Sequence, residues 1–269
     1  MSDLRQLQLT ELEILKFFDG FCRENELQYY IVAGTLLGAV RHGGFIPWDD
    51  DIDVAMPRAD FNRFTALMSS NQHDCYFYQC HDTEPNYIFG FSKIRLKGTA
   101  VCESYLENVE MEKGVYIDIF PLDPCPEGTK GKLMFKAVEA ISCALMTRSG
   151  MDFCCGYTKK YMRALYRLLC LFSVSALIKL RNAVVSFFGK FANGELFCTV
   201  HGCHGFPAET YRREWLGNGQ ELSFEDMKVF APADPDAALI NMYGDYKQPP
   251  EDKSGHFELE KTLLNGDLI

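Results

Sequence analysis

Four aspartates occur within five positions of this chain, at Asp49, Asp50, Asp51 and Asp53. Carboxylates this close repel one another unless a proton or a cation neutralises them. Hard divalent cations such as Mg²⁺ prefer oxygen ligands of this kind, and substrate phosphates commonly complete their coordination shell. The stretch therefore predicts a divalent-cation site that handles a phosphate-bearing substrate.

The spacing separates three interpretations of this stretch. A calcium loop of the EF-hand type would use Asp49, Asp51 and Asp53, but it would need glycine directly after Asp53 and glutamate seven residues after it, and the chain has neither. A solvated acidic turn fits poorly, because an apolar strand is predicted over residues 52–56. Alternate residues of a strand share a face, so Asp51 and Asp53 would present their carboxylates together.

A metal site of this kind commonly needs a carboxylate from a second strand. Asp118 lies inside the apolar run VYIDIF, for which we predict a strand over residues 115–120 that ends at Pro121. An isolated aspartate in such a strand is costly to bury without a partner, which makes Asp118 the first choice. Asp123, in the loop beyond, is the alternative, and a purely structural role for Asp118 stays open.

Residues before the aspartates have the types expected of substrate contacts. Gly34 and Thr35 are predicted at the N-terminus of a helix over residues 35–40, where outward-pointing N–H groups attract anions. A tight turn is the alternative for both. Arg41 and His42 would supply positive charge to a diphosphate. The alternatives are surface solvation for Arg41 and a hydrogen bond within the loop for His42.

Three further features could take part in binding. Lys93 is a lone cation in an apolar strand, so it would either contact phosphate or protect an edge strand by its charge. Trp48 could form, with Tyr116 and Phe120, an aromatic box for a quaternary ammonium, or the three could simply pack. The run CTVHGCH at 198–204 contains four zinc-ligand types, but their spacing matches no common zinc motif.

The elements that must position these residues alternate between helix and strand. The spacing from Thr10 to Glu13 is that of a capping box, which predicts a helix from Thr10 to about residue 25. Further helices are predicted after Pro57 and, beginning with a proline, over 235–242. Strands are predicted at 29–33, 52–56, 76–80, 87–96, 99–102, 115–120 and 228–230.

We expect three parts: a catalytic core over 1–127, a helical cationic insertion over 128–194, and a part over 195–269 that completes the core. Between 153 and 194 there is no acidic residue, yet there are seven cations, at Lys159, Lys160, Arg163, Arg167, Lys179, Arg181 and Lys190. Such a segment with apolar flanks suits the surface of an anionic membrane. The alternative is an insertion packed on the core, with its cations facing water or the donor groove.

Bulk properties narrow the class of protein. The net charge of −10 argues against a general nucleic-acid-binding protein. Eleven scattered cysteines form no disulfide framework, which indicates a reducing compartment. The N-terminus lacks the regions of a signal peptide, and the longest apolar run is too short to span a bilayer. We expect a cytoplasmic protein, with peripheral contact at the inner membrane face through 159–190 as an alternative.

The run GTLLG at 34–38, the pair Asp51 and Asp53, and the later Asp118 resemble the nucleotidyltransferase superfamily. The longer run GTLLGAVRHGGFIPWDDDIDVAMPR resembles the LicD family, together with FSKIRLKGT, YIDIFPLD and YGDYKQPP…H. This resemblance covers about residues 5–125 and 210–256. It implies an α+β fold in which a nucleotidyltransferase-like mixed β-sheet is flanked by helices.

The resemblance also implies a reaction. A phospho-alcohol, typically phosphocholine from CDP-choline, would be transferred to a hydroxyl of a cell-surface glycan such as teichoic acid or lipopolysaccharide, or to its precursor, with release of CMP. Mg²⁺ or Mn²⁺ would bind Asp51, Asp53 and Asp118, and His256 would close over the site. Two alternatives remain: a nucleotidyltransferase that transfers an NMP to a sugar phosphate or small molecule, and a metal-binding protein without catalysis.

Overall fold

A computed structural model describes residues 3–71, 73–101, 103, 106, 108–151, 167–248, 263–264 and 267–268. Its helices are α1 Asp3–Glu24, α2 Ala33–His42, α3 Arg58–Ser70, α4 Gly128–Arg148, α5 Val174–Gly189, α6 Arg213–Leu216 and α7 Pro235–Tyr243. Its strands are β1 Tyr30–Ile31, β2 Asp53–Pro57, β3 Tyr76–Gln79, β4 Ser92–Leu96, β5 Tyr116–Pro124, β6 Leu196–Cys198, β7 Thr210–Arg212, β8 Gln220–Phe224, β9 Met227–Ala231, β10 Leu263–Leu264 and β11 Asp267–Leu268.

The central sheet has the strand order β1-β2-β5-β4-β3, and β6 and β7 extend it from the end of β5. Strands β2 and β5 are parallel, whereas the other neighbours in this sheet are antiparallel. The mixed sheet flanked by helices that the sequence predicted is therefore confirmed. Strands β8 and β9 form a separate hairpin.

Helix α1 covers the sheet through an apolar stripe. Leu7, Ile14, Leu15 and Phe18 are completely buried in the main core, where the fully buried Ile117 of β5 also lies. Burial of each such side chain stabilises the fold by about 1.5–3 kcal/mol. This packing determines which face of α1 is turned toward the starts of β2 and β5.

The predicted start of the first helix is wrong. Helix α1 begins at Asp3, and Thr10 lies inside it, where its Oγ1 donates a hydrogen bond to the carbonyl of Gln6 at 2.9 Å. The capping-box spacing misled because the apolar stripe continues one turn earlier, to the buried Leu7. Thr10 therefore bonds back to the preceding turn instead of capping an end.

Strand β5 is longer than predicted, because Pro121 does not end it. Residues Tyr116–Ile119 pair with β4, and Asp123 and Pro124 pair with β6. Pro121 falls between these two ladders, where that edge of β5 has no neighbour that requires a backbone N–H. On the opposite edge, Pro121 lies beside Met56 of the parallel strand β2.

Other predicted elements have mixed outcomes. Helix α2, helix α3 and strand β9 are confirmed, and Asp234 caps α7 by accepting a hydrogen bond from the Ala237 N–H at 3.0 Å. The strand predicted over 87–96 is confirmed only over Ser92–Leu96, because the rings of Tyr87, Phe89 and Phe91 pack on one another before it. Of the strand predicted over 99–102, the described residues 99–101 show only a bridge at Ala100.

Helices α4 and α5 pack together and bury a second apolar cluster that includes Ile88, Leu145 and Leu177. Part of the cationic segment, residues 159–166, lies outside the described residues. Within the residues that the structure does describe, no helix is both long and apolar enough to cross a membrane.

Candidate active site

Three charged residues form one row across the centre of the sheet. Asp53 of β2 lies opposite Asp118 of β5, and Asp118 lies opposite Lys93 of β4. Neighbouring strands are about 4.8 Å apart, so paired residues on such a row present their side chains close together. The two aspartates predicted to share a site are therefore brought together by strand register.

Lys93 is buried, with 1% of its surface exposed, and its Nζ lies 2.9 Å from Asp118 Oδ1. The same ammonium lies 3.7 Å from Glu103 Oε1 and 3.2 Å from the centre of the Tyr116 ring. Burial raises the pKa of Asp118, and the charge of Lys93 opposes that shift. The suggestion that Lys93 protects an edge strand is thus wrong: β4 is an inner strand, and Lys93 supplies the countercharge of Asp118.

Thr35 connects the start of α2 to the start of β2. Its Oγ1 accepts a hydrogen bond from the backbone N–H of Asp53 at 2.8 Å, and the Val32 N–H donates to the Asp53 carbonyl at 3.1 Å. Burial and the charges of Asp51 and Asp118 raise the pKa of Asp53. Thr35 therefore fixes the backbone that carries one of the two paired carboxylates.

The remaining aspartates form a tight group beside this row. One carboxylate oxygen from each of Asp49, Asp50 and Asp51 lies within 4.8 Å of the others. Burial, Asp51 and Asp50 together raise the pKa of Asp49 to about 8. A Cβ at Gly34 would lie 2.8 Å from Asp49 Oδ2, so a side chain there would displace the Asp49 carboxylate from the N-terminal turn of α2.

Glu11 is a site residue that the sequence analysis did not identify. It is completely buried on α1, and neither of its carboxylate oxygens has a hydrogen-bond partner in the described part of the chain. Burial, followed by the charges of Asp51, Asp50, Asp49 and Asp118, raises its pKa. A buried carboxylate without a partner is unfavourable unless it is protonated or close to a cation.

Gln8, one turn before Glu11, ties this part of α1 to the loop that carries Asp49. Gln8 Nε2 donates to the Asp49 carbonyl at 2.9 Å and to the Ile46 carbonyl at 3.3 Å. A signal was available in the sequence, because Glu11 stands on the same helical face as Leu7, Ile14, Leu15 and Phe18. The capping-box interpretation, which placed the helix start at Thr10, concealed it.

The C-terminal part of the chain borders the same carboxylates. Burial and the charges of Asp53 and Asp49 raise the pKa of Tyr243, at the end of α7. The ring of His204 lies 5.4 Å from the ring of Tyr243, measured between centres. Burial, Glu209 and Asp53 raise the pKa of Cys203. The loop before β7 and the end of α7 therefore form one wall of the site.

The alternative third carboxylate, Asp123, is already engaged. Both of its oxygens accept hydrogen bonds from Arg58, at 2.7 and 2.6 Å. Asp123 also lies five residues beyond Asp118 on β5, about 16 Å along the strand. Asp118 is consequently the better partner for Asp53.

The structure does not bring every predicted contact to the carboxylates. Arg41 and His42 are at the C-terminal end of α2, about 10 Å along the helix from Gly34. Arg41 Nη1 donates to the Tyr246 carbonyl at 3.2 Å, and His42 is exposed. His256 lies outside the described residues.

The geometry gives little support to an aromatic box of Trp48, Tyr116 and Phe120 or to a zinc site made by run 198–204 alone. Trp48 is half-buried against the main core, and Phe120 lies 4.6 Å from Phe91, ring centre to ring centre. One face of Tyr116 is already covered by Lys93. In the described chain, the four possible ligands of run 198–204 do not form one set; only Cys203 and His204 converge, with Glu209, within 4.8 Å.

Comparison with known proteins finds a family model and individual proteins that parts of this chain resemble. The sequence model of the LicD/FKTN/FKRP nucleotidyltransferase domain matches residues 26–138. The lipopolysaccharide cholinephosphotransferase LicD of Haemophilus influenzae is 36% identical over 129 residues, which are 47% of this chain and 47% of that protein. The human ribitol 5-phosphate transferase FKRP is 39% identical over 44 residues, 16% of this chain and 9% of that protein.

The match with the bacterial relative covers about half the length of either protein. The family match, over residues 26–138, includes the candidate residues Gly34, the four clustered aspartates and Asp118. Residues 26–138 are therefore similar to the nucleotidyltransferase domain of the LicD family.

Proposed function

We propose that this protein is a metal-dependent transferase with a nucleotidyltransferase-like core. It moves phosphocholine, or a related phospho-alcohol, from a CDP-activated donor to a hydroxyl of a cell-surface glycan or its precursor, and releases CMP. The names of the two relatives support phospho-alcohol transfer as the reaction class. The observation that carries the proposal is the paired row of Asp53 and Asp118 beside the group Asp49–Asp51.

The residues present fit a divalent cation. Glu11 contributes a buried carboxylate without a hydrogen-bond partner, and the neighbouring carboxylates raise one another's pKa values. Asp51, Asp53 and Asp118 would hold Mg²⁺ or Mn²⁺, with Asp49 and Asp50 orienting them. Such an ion, when bound, stabilises negative charge on phosphoryl oxygens.

The protein's own residues would position the donor and accept a proton. The acceptor hydroxyl oxygen forms a bond to the phosphorus of the phospho-alcohol while the bond from that phosphorus to CMP breaks, and CMP leaves with its oxygen. Asp118 would accept the hydroxyl proton, and Lys93, 2.9 Å away, favours the ionised carboxylate that this step requires.

Thr35 and Gly34 would meet the donor phosphates at the start of α2. The Thr35 oxygen accepts the Asp53 N–H, and its own O–H can still donate to a phosphate oxygen. Arg41, His42, Trp48 and His256 remain proposed substrate contacts. For Arg41 and His42 this requires the substrate to extend along α2.

A donor screen tests the proposal. Purified protein with Mg²⁺ would be incubated with CDP-choline, CDP-ethanolamine, CDP-glycerol or CDP-ribitol and a glycan acceptor, and CMP would be quantified. We expect CMP with one of these donors and its loss in Asp53→Asn, whereas Asp74→Asn, an exposed aspartate, should retain activity. Release of pyrophosphate from a nucleoside triphosphate would instead indicate nucleotidyl transfer, and activity in Asp53→Asn would contradict the assigned site.

A further inference from the structure

A large cleft separates helix α5 from the core. Its volume is about 1010 Å³, and its lining includes Arg58, Asp123, Arg181 and His201. Arg58 follows the last residue of β2, five positions after Asp53, so this cationic end of the cleft lies about 16 Å along the strand from the paired aspartates, whereas Phe91, at the other end of the lining, lies two residues before Lys93. The cationic end of the cleft is therefore distinct from the candidate metal site.

Positive charge predominates in the lining of this cleft. Four cationic side chains, Arg58, Lys179, Arg181 and Lys190, face two carboxylates, Asp82 and Asp123. Asp123 is held in a bidentate ion pair by Arg58, so Lys179, Arg181 and Lys190 face one remaining carboxylate, Asp82, and two positive charges are in excess. This is notable in a chain whose net charge is −10.

The burial of the Arg181 guanidinium beside this cleft requires an explanation. Only 3% of its surface is exposed, and its Nη1 and Nη2 donate to the carbonyls of Ile88 and Phe89 at 2.5 and 3.1 Å. Its Nε is buried without an acceptor, and no carboxylate in the described part of the chain forms an ion pair with it. Burial lowers its pKa to about 10.

A buried guanidinium stays charged at neutral pH and is costly to bury without an anion. Two carbonyl dipoles compensate only part of this charge, because a carbonyl carries no net negative charge. An anion in the cleft would supply the rest, and guanidinium and ammonium groups are the usual ligands of phosphate.

His201 lies beside the same positive charges. Burial, followed by the charges of Arg181 and Arg58, lowers its pKa. Its ring lies against Gly90, where a Cβ would come within 2.2 Å of it, so it is held at the wall of the cleft. A neutral imidazole there leaves the excess positive charge available to a ligand.

We propose that this cleft binds the phosphate or phosphodiester group of a ligand. Lys179, Arg181 and Lys190 supply the charge, and the aromatic rings of Phe89 and Phe91 line the same cleft and can contact a base or a sugar. Phe91 also packs against Phe120, two residues from Asp118, which connects the cleft to the carboxylate row. The phosphate could belong to the donor nucleotide or to a phosphate-bearing acceptor.

Binding measured in EDTA isolates this cleft from the candidate metal site. Without a divalent cation the clustered carboxylates repel phosphate, so any phosphate bound must be held elsewhere. Isothermal titration of the full chain would use three probes: inorganic phosphate, CMP and N-acetylglucosamine 1-phosphate. The inference needs only the cleft and does not rest on the transfer reaction, so a protein inactive as a transferase can still satisfy it.

The variants are chosen to keep the fold intact. Lys179 and Lys190 are exposed, so the double variant Lys179→Gln, Lys190→Gln should fold normally, and Lys132→Gln on α4 is the matched control for loss of an exposed lysine. We expect the double variant to weaken phosphate binding about tenfold or more and Lys132→Gln to leave it unchanged. Arg181→Lys, which loses the planar fork, should weaken it as well.

The outcomes separate the two sources of phosphate. Binding that is tightest for CMP identifies the donor nucleotide, and binding that is tightest for N-acetylglucosamine 1-phosphate identifies a phosphorylated acceptor. The inference is overturned if no probe binds wild-type protein in EDTA at millimolar concentration. It is equally overturned if the double lysine variant binds every probe as tightly as wild type does.

Discussion

Asp118 of β5 lies between an acidic neighbour, Asp53 of β2, and a basic neighbour, Lys93 of β4. One neighbour raises the cost of ionising Asp118, and the other lowers it. The pairing of β2, β5 and β4 therefore gives the two aspartates different environments, although they belong to the same row. Different environments are what allow two carboxylates to take different roles.

Replacement of Lys93 by methionine should strongly destabilise the fold. The change would leave Asp118 and Glu103 buried without the ammonium that lies 2.9 and 3.7 Å from them. Breaking a buried ion pair from one side typically costs about 3–5 kcal/mol. Urea unfolding monitored by circular dichroism would measure the loss.

The control for this experiment is Lys97→Met, which changes an exposed lysine just past the end of the same strand. Its cost should stay within about 0.5 kcal/mol. Adding Asp118→Asn to Lys93→Met should recover part of the lost stability, because the uncompensated carboxylate is then neutral. If Lys93→Met unfolds no earlier than Lys97→Met, the proposed pairing is wrong.

Protein without metal should lose stability as the pH rises from about 4 to about 8. Burial and neighbouring charges raise the pKa values of Glu11 and Asp53, and that of Asp49 to about 8. In this window the native state binds more protons than the unfolded state, so the free energy of unfolding falls with rising pH. Chemical denaturation in EDTA at several pH values would show the decline.

Two comparisons make the pH prediction specific to the carboxylate cluster. Glu11→Gln removes one of the buried charges and should raise the stability of the metal-free protein at pH 8 by about 1–3 kcal/mol. Glu13→Gln, an exposed residue of the same helix, should not. Added Mg²⁺ should stabilise wild type most at high pH, and a metal-free stability that rises between pH 5 and 8 would refute the assignment.

The sequence pointed to the clustered aspartates for a local reason, their number within five positions. The predicted strand over residues 52–56 would have put Asp51 and Asp53 on one face, but β2 begins at Asp53, and Asp51 lies before it, grouped with Asp49 and Asp50. Asp118 was recognisable because it interrupts an apolar strand. The partner of Asp118 was not recognisable, since Lys93 meets it only through the register of β4 on β5, which no local pattern encodes.

Glu11 and the cleft beside α5 show which features could not be predicted from the sequence. Glu11 was hidden by a wrong helix start, because a capping-box spacing occurs inside a helix as readily as at its end. The segment of Lys179, Arg181 and Lys190 was recognised as cationic, but its position over the core depends on the packing of α5 against loop residues Ile88 and Phe89. Such contacts between distant parts of the chain follow only from the assembled fold.

Thr35 should be needed for its hydroxyl and not for its size. Thr35→Val leaves the Asp53 N–H without its acceptor, at a buried position where Thr35 is 3% exposed, and should cost about 1–3 kcal/mol. Thr35→Ser keeps the oxygen and should cost less. Urea unfolding of both variants, with CMP release measured in parallel, would separate them; equal losses in Val and Ser would show that packing of the methyl group dominates.

Residues 168–191, which include α5, should also bind an anionic membrane surface. Several large apolar side chains of the described chain are exposed within residues 168–191, including Leu171 at 79% and Phe187 at 54%. No acidic residue occurs between 153 and 194 to oppose an anionic surface. Exposed apolar side chains among cations are typical of helices that lie in the interface of anionic lipid.

Flotation with phosphatidylglycerol vesicles would test this contact. Leu171→Asp with Phe172→Asp should reduce the floated fraction severalfold, because the change removes apolar insertion and adds negative charge at the same surface. Ile240→Asp is the matched control, since Ile240 is 58% exposed on α7, away from the cationic segment. Wild-type protein that stays at the bottom of the gradient, or a loss in Ile240→Asp equal to that of the double variant, would exclude a specific membrane contact through residues 168–191 and leave Lys179 and Lys190 to the cleft alone.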